Sequence, residues 1–164
     1  MKSTGLEKGG IYNHFGSKDQ LALEAFDYAV GVFGARFLDS LKDKDGAVDK
    51  LHAFLDQCLV NASDPPIPGG CPLLNTAVES DDGHPELRDR VQKAMGRLLS
   101  LVERLVAQGV SAGELRAEID PKKEASIIVS SIEGGLMIAR LYGEPERLAP
   151  VVAHLKAHVS SLSG

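Results

Sequence analysis

The sequence predicts an all-α protein, and three observations support this fold class. Alanine, leucine and valine dominate the apolar residues, whereas aromatic residues, which favour strands, make up only 5% of the chain. Apolar side chains recur at spacings of three and four residues in one segment after another, as they do on one face of a helix. Proline, glycine and capping residues separate these segments, so we expect amphipathic helices joined by turns.

The amino-terminal stretch predicts a short helix, a sharp break and the start of a long helix. Within about residues 8–15, Ile11 and Phe15 lie four apart on one face, which leaves the polar face free to contact another molecule. Gly16 breaks this helix. Ser17-Lys18-Asp19-Gln20 is a Ser-x-x-Gln capping box that opens the next one.

This stretch resembles the second half of the helix-turn-helix of the tetracycline-repressor (TetR) family of transcriptional regulators. The pattern matches in register at Gly5, Lys8, Gly9, Tyr12, His14, Phe15, Ser17 and Lys18. The resemblance implies a partial DNA-binding head at 1–17 and a ligand-binding and dimerisation domain at 18–164. A recognition helix enters the major groove by its amino-terminal end. The residues implied to face DNA are Lys8, Gly9, Gly10, Tyr12, Asn13, His14 and Lys18.

One part of the family's reading head has no counterpart in this sequence. In the family a first helix crosses the DNA backbone, and another helix precedes it, which together amount to roughly 30 residues. We expect either that the chromosomal protein is longer than this chain or that the chain has lost half of its reading head. In the second case the alternative function is a DNA-incompetent helical dimer that binds a small ligand or pairs with another subunit.

The charge distribution confines any DNA contact to the amino end. The formal net charge is −5, and the first 18 residues carry three lysines against one glutamate, so the rest is more acidic still. Such a surface repels nucleic acid. No segment resembles a secretory signal, and no apolar run reaches the length of a membrane span. We therefore expect a cytoplasmic, soluble protein that binds no membrane.

Six helices are expected after the motif, separated by proline and glycine. The segment from Ser63 to Gly70 holds three prolines and two glycines, so it is the longest clear loop. Gly109 is expected to end the fourth helix, and a connector follows to Ile119. The predicted helices lie at about 18–44, 48–62, 71–79, 85–108, 122–142 and 145–162.

The first of these helices carries most of the aromatic side chains. They form a continuous apolar stripe of Phe26, Val30, Phe33, Phe37 and Leu41. In the TetR family the corresponding helix links the DNA-binding head to the regulatory body. A plain core helix is compatible with the same stripe.

The last two helices have more apolar surface than one partner helix would cover. The family buries them against their copies in a second subunit, so we expect a homodimer, with close helix approach at Gly134 and Gly135. An ordinary helix pair in the core of a monomer stays the alternative. The predicted interface residues are Ile128, Ile132, Gly135, Leu136, Leu148, Val152, Leu155 and Val159.

The resemblance also implies an inducer cavity among the helices of the body. Few charges and adaptable methionines in this region point to an apolar or amphipathic small molecule. Plain core packing is the alternative for each residue. The predicted ligand-binding residues are Phe54, Cys58, Cys71, Asn75, Val78, Met95, Leu99 and Met137.

No motif indicates catalysis, a cofactor or a metal. His154 and His158 lie four apart on one helix without an obvious carboxylate or cysteine partner, so a solvated helix face is the simpler interpretation. Cys71 lies at a helix amino terminus, which predicts a lowered thiol pKa and allows a redox role with Cys58, with burial as the alternative.

These expectations combine into one predicted function. We expect a ligand-responsive, DNA-binding transcriptional regulator, a repressor whose homodimer leaves its operator when a small apolar or amphipathic molecule binds. A small helical enzyme is a further alternative, supported only by the expected pocket.

Overall fold

The computed structural model describes residues 17–80 and 84–164, and within them it confirms the all-α prediction. These residues form no strand, and an isolated bridge joins Leu115 to Ser163. A single 3-10 turn, Pro145–Leu148, precedes the last helix. The helices are α1 (Lys18–Leu41), α2 (Ala47–Ser63), α3 (Pro72–Glu79), α4 (Pro85–Ala112), α5 (Pro121–Tyr142) and α6 (Ala149–Ser161).

Half of the predicted capping box at the start of α1 is present. The Ser17 hydroxyl accepts a hydrogen bond from the Gln20 backbone amide at 3.0 Å. The Gln20 side chain does not reach back to Ser17 but donates to Glu24, one turn further along. The serine alone therefore caps the helix.

The amino terminus of α2 is capped from a distant part of the chain. Its own N-cap residue, Gly46, has no side chain to accept a hydrogen bond. Both carboxylate oxygens of Glu114 accept instead, one from the Ala47 amide and one from the Val48 amide, each at 3.0 Å. This contact joins the start of α2 to the end of α4.

The predicted end of the fourth helix at Gly109 is wrong. α4 continues through Gly109 and ends at Gly113, which has the left-handed φ of 74° typical of a helix terminus. Gly109 is required for packing, because an added Cβ would lie 2.8 Å from Leu115 Cδ1 and 3.2 Å from Ala47 Cβ. The sequence alone does not distinguish a glycine that ends a helix from one that permits close packing.

The main hydrophobic core lies where α2, α4, α5 and α6 meet. Leu55, Ile128, Leu148 and Val159 at its centre have no exposed surface. A second, smaller cluster joins α1, α3 and the first half of α4 through Phe26, Leu73, Val91 and Ala94. The space between these two clusters is occupied by the site described below.

Helix α5 corrects one expectation about membranes. By length and composition it is apolar enough to cross a membrane, although the sequence was expected to contain no such run. A core helix of a soluble protein passes the same test, and seven residues of α5, including Ile128, Ile132 and Ala139, are buried within the chain. One helix of this kind is weak evidence for membrane insertion.

Candidate ligand-binding site

A cavity of about 940 Å³ lies between α1, α2, α4 and α5. The loop that follows α2 and the start of α3 form its remaining side. Most of its lining is apolar. Its volume falls in the range of about 300–1,000 Å³ that small-molecule sites occupy.

The apolar stripe of α1 forms one wall of this cavity. Val30, Phe33 and Phe37, in the middle of the stripe, line the cavity and stay half-exposed, whereas Phe26 and Leu41 at its two ends are buried. Phe37 also stacks on Phe54 of α2, with ring centroids 4.9 Å apart. The stripe is therefore core at its ends and cavity wall at its centre.

The loop between α2 and α3 is held in place at its glycines. Gly69 and Gly70 have φ values of 126° and 79°, which side chains with a Cβ rarely adopt. Asn75 Nδ2 donates to the Gly69 carbonyl at 2.7 Å. A Cβ on Gly70 would meet only the flexible side chain of Arg140, so the left-handed φ rather than this contact favours glycine here.

One acidic side chain, Glu133, lies within the apolar lining. The Cys71 thiol donates to Glu133 Oε1, with the sulfur 3.3 Å from the oxygen. Burial raises the pKa of the Glu133 carboxyl above its usual range, and the hydrogen bond from Cys71 opposes this in part. Glu133 Oε2 is buried without a hydrogen-bond partner in the described part of the chain.

A second polar group in the lining is also incompletely satisfied. Asn61 is only 6% exposed, and its Oδ1 accepts from Gln57 Nε2 at 3.0 Å and from Arg36 Nη1 at 3.4 Å. These two donors fix the orientation of the amide. Asn61 Nδ2 is left as a buried donor with no partner among residues 17–80 and 84–164.

Three arginines, Arg97, Arg104 and Arg140, also line the cavity. All three are exposed, so they mark the side at which the cavity meets solvent. Asp27, the other charged lining residue, pairs with Arg90. The rim therefore carries solvated charge, whereas Glu133 is the buried acid within.

Three of the eight predicted ligand-binding residues line this cavity, namely Phe54, Cys58 and Cys71. Val78 and Met137 are largely exposed elsewhere. The other three predicted residues do not line the cavity. Asn75 holds the loop through its hydrogen bond to Gly69, Met95 packs against both hydrophobic clusters, and Leu99 packs against the main cluster.

The predicted lowered pKa of Cys71 is wrong. Although Cys71 is the N-cap residue of α3, burial and the neighbouring Glu133 carboxyl raise its pKa to about 12. Burial likewise raises the pKa of the Cys58 thiol. Both thiols stay protonated near neutral pH, so the helix terminus does not create a reactive thiolate here.

Sequence reasoning missed Glu133 and Asn61. Each lies within an apolar helical repeat, where a lone polar residue at a core-facing position is the signal that could have marked it. The signal was weak because periodicity alone does not separate a core from a cavity wall.

The predicted DNA-facing residues fall almost entirely outside the described part of the chain. This holds for Lys8, Gly9, Gly10, Tyr12, Asn13 and His14, and for most of the proposed head at 1–17. Lys18 is the first residue of α1 and is exposed. Their role in DNA binding stays a prediction.

The predicted dimer-interface residues lie mainly inside the single chain. Leu136 is half-exposed and lines the cavity. Gly135 packs against its own chain, since an added Cβ would lie 2.7 Å from Leu148 Cδ1. The interface itself stays a prediction, but most of the residues named for it are already buried: Ile128, Ile132, Gly135, Leu148, Val152, Leu155 and Val159.

The histidine pair on α6 is divided between two environments. His158 Nε2 lies 2.7 Å from Glu124 Oε2 of α5, a carboxylate partner that the sequence did not reveal. His154 is exposed. Among the described residues, no group of three metal-ligating side chains comes together.

Comparison with known proteins places this architecture among helical regulators of transcription. The family described as "Tetracyclin repressor-like, C-terminal domain" matches residues 47–155. A crystal structure of a TetR transcriptional regulator from Chloroflexus aurantiacus J-10-FL is 44% identical, with a TM-score of 0.91. The similarity extends over 98% of this chain and 81% of that chain. A TetR-family regulator from Cytophaga hutchinsonii is 27% identical, with a TM-score of 0.82, over 99% of this chain and 81% of that one.

Curated relatives agree with this class. The fatty acid metabolism regulator protein of Bacillus subtilis (strain 168) is 23% identical over 133 residues, which are 80% of this chain and 66% of that protein. An uncharacterised HTH-type transcriptional regulator of Mycobacterium tuberculosis is 26% identical over 146 residues, or 86% of this chain and 71% of that protein. The chain thus spans about two thirds of the length of these relatives.

The chain belongs to the TetR family of transcriptional regulators. The family match runs from the start of α2 into the first half of α6, and the Chloroflexus relative extends the similarity over nearly the whole chain. The related proteins are regulators of transcription, which is a non-enzymatic role.

Proposed function

We propose that this protein is a ligand-responsive repressor, which binds operator DNA as a homodimer and leaves it when a small apolar or amphipathic molecule occupies the cavity. The observation that carries the proposal is the cavity of about 940 Å³ in the body of a TetR-family chain. An apolar lining with a few polar groups is the usual composition of a small-molecule site.

The apolar wall supports a ligand with a substantial hydrocarbon portion. Phe33, Phe37 and Leu136 line the cavity with apolar side chains that are half-exposed, so each has surface that a bound ligand would cover. The Bacillus subtilis relative is named as a regulator of fatty acid metabolism.

Helix α1 supports a route from ligand to DNA. It begins at Lys18, directly after the predicted recognition helix, and its centre lines the cavity through Val30, Phe33 and Phe37. If a ligand packs against this wall in only one orientation of α1, its binding stabilises that orientation. Ligand and operator would then weaken each other's binding by the same factor, as linkage requires.

Helix α5 offers a surface for the second subunit. Ile127, Ile138 and Leu141 are exposed at helical spacing, and Ser131 and Gly134 lie between them on the same stripe. A Cβ on Gly134 would meet nothing within 4 Å in the single chain, so this glycine leaves room for a neighbouring helix. We propose this stripe as the centre of the homodimer contact.

The proposal is tested with protein produced from its own chromosomal locus. DNA fragments that it retains from the genome are sequenced. We expect a discrete set of enriched fragments, and loss of this enrichment in a Tyr12→Ala variant. The absence of any enriched fragment would contradict the repressor function and favour a DNA-incompetent dimer that binds ligand or pairs with another subunit.

A further inference from the structure

The Glu133 carboxyl is the most unusual group in the cavity. Its Oε1 accepts from the Cys71 thiol, whereas its Oε2 is buried and lacks a partner in the described chain. Val129, Ile132 and Leu136, its neighbours on α5, line the same cavity with apolar surface. A buried carboxylate in such surroundings is costly unless a charged or hydrogen-bonding partner is supplied.

The described chain does not supply that partner. Its ion pairs involve other carboxylates, and none joins an arginine or lysine to Glu133. Arg97, Arg104 and Arg140 line the cavity but are exposed, so water screens their charge. No cation contributes to the raised pKa of Glu133, which burial dominates. The carboxyl group is therefore available to a ligand.

Asn61 adds an independent sign that a polar ligand group belongs here. It is more than nine-tenths buried and lines the cavity, and its Nδ2 donor is free while both of its neighbours, Gln57 and Arg36, occupy its oxygen. Buried amides are rarely left in this state. The cavity thus offers one acceptor and one donor, at Glu133 and Asn61, in an otherwise apolar lining.

We propose that the ligand is a lipophilic amine, whose protonated nitrogen donates to Glu133 Oε2 while its hydrocarbon part packs against Phe33, Phe37 and Leu136. This inference rests on the proposed ligand-binding function and names the chemical class of the ligand. An oxygen atom elsewhere in the ligand would accept from Asn61 Nδ2.

Other ligand classes fit Glu133 less well. A carboxylate would place a second negative charge beside the buried carboxyl, or would require one of the two groups to bind a proton. An alcohol could donate to Oε2 but would leave its charge uncompensated. Only a cation both donates a hydrogen bond and balances the charge.

Three ligands with the same hydrocarbon chain test this inference: decylamine, decanol and decanoate. Each is titrated calorimetrically into the full chain, below the concentration at which it forms micelles. We expect decylamine to bind about tenfold or more tightly than either of the others. Glu133→Gln, which keeps the shape and an acceptor oxygen, should bind decylamine and decanol within about twofold of each other. Glu146→Gln, an exposed site outside the cavity, is the matched control and should keep the preference.

The outcomes distinguish a wrong ligand class from a wrong ligand site. If decanoate or decanol binds the unaltered chain as tightly as decylamine, the amine class is wrong while the ligand-binding function stands. A preference for decylamine that survives in Glu133→Gln also overturns the inference. If none of the three binds, both the amine class and the proposed ligand site are contradicted. The comparison of ligands on the unaltered chain needs no variant, so it decides between the three classes even if Glu133→Gln folds poorly.

Discussion

Two regions of this molecule are built from the same apolar periodicity and differ in how it is used. Around Leu55, Ile128 and Val159 the helices α2, α4, α5 and α6 close completely, and these side chains have no exposed surface. On the side of α1, side chains such as Phe33 and Leu74 face a cavity of about 940 Å³. Helical spacing decides which face of a helix is apolar, but the distance between helices decides whether that face is packed or left open for a ligand.

The loop between α2 and α3 explains much of this difference. Pro65, Gly69 and Gly70 separate α2 from α3, and the short α3 reaches the cavity only through its first turn. The buried residues of α1 lie near its ends, with Leu23 and Phe26 in its first half and Leu41 at its last position. The packed region supplies stability, and the open region is where we propose that a ligand binds.

The largest expected effect comes from a matched pair of leucines, one in each region. Leu55→Ala removes a fully buried side chain and should lower the free energy of unfolding by about 2–5 kcal/mol. Leu74→Ala removes a half-exposed cavity-wall side chain and should lower it by about 1 kcal/mol or less. Urea denaturation of both variants measures the contrast. Equal losses would mean that the cavity wall is packed as tightly as the core.

The two adjacent glycines of α5 sharpen the comparison at a single helix turn. Gly135→Ala places a methyl group against Leu148 and Val151 in the packed region, so we expect a loss of about 1–3 kcal/mol in unfolding free energy. Gly134→Ala meets nothing in the single chain and should leave the fold unharmed or gain up to about 1 kcal/mol from helix propensity.

Sedimentation equilibrium adds a second readout for the same pair. If the stripe around Gly134 is the homodimer contact, Gly134→Ala should weaken self-association while Gly135→Ala leaves the contact surface unchanged. A Gly134→Ala variant that associates like the unaltered protein would remove the proposed stripe from the interface.

A smaller effect is expected where Glu114 caps α2. Glu114→Gln keeps one acceptor oxygen but loses the second and the charge, so we expect a loss of about 0.5–2 kcal/mol near neutral pH. The backbone amides of Ala47 and Val48 lower the pKa of this carboxyl in the folded state. Its contribution is therefore present above the pKa of the unfolded chain and is lost as pH falls through the lower folded value.

Urea denaturation across the acid range checks this sign. The difference between the unaltered chain and Glu114→Gln should shrink as the pH falls through the lowered pKa of Glu114. A difference that grows on acidification would contradict the cap.

Much of the fold could be predicted from the sequence. Pro72, Pro85 and Pro121 mark helix starts because proline suits the first turn, and Gly143 ends α5 with a left-handed φ of 69°. The predicted end of α4 differs by four residues from the observed one because Gly109 serves close packing rather than termination. Local signals therefore locate the helices well but not the contacts between them.

The candidate site was less predictable than the fold. Phe54, Cys58 and Cys71 do line the cavity, although the pKa of Cys71 depends on burial beside Glu133, a residue 62 positions away. The unpartnered atoms of Glu133 and Asn61 depend on how α1, α2, α4, α5 and the loop converge. No local pattern contains that information, because an apolar face looks alike whether it meets another side chain or empty space.

The central claim is that the open region is a ligand site, and filling it tests this most directly. Gly34 lines the cavity on α1, and an added Cβ would meet nothing within 4 Å, so we expect Gly34→Trp to direct its ring into the cavity. Gly96, on α4, is equally unobstructed but outside the lining, which makes Gly96→Trp the matched control.

The measurement is the affinity of each chain for the neutral apolar dye Nile red, followed by fluorescence. We predict that Gly34→Trp binds the dye about tenfold or more weakly than the unaltered chain, with no loss of thermal stability, while Gly96→Trp binds it normally. Equal dye binding by the three chains would contradict the proposed ligand site.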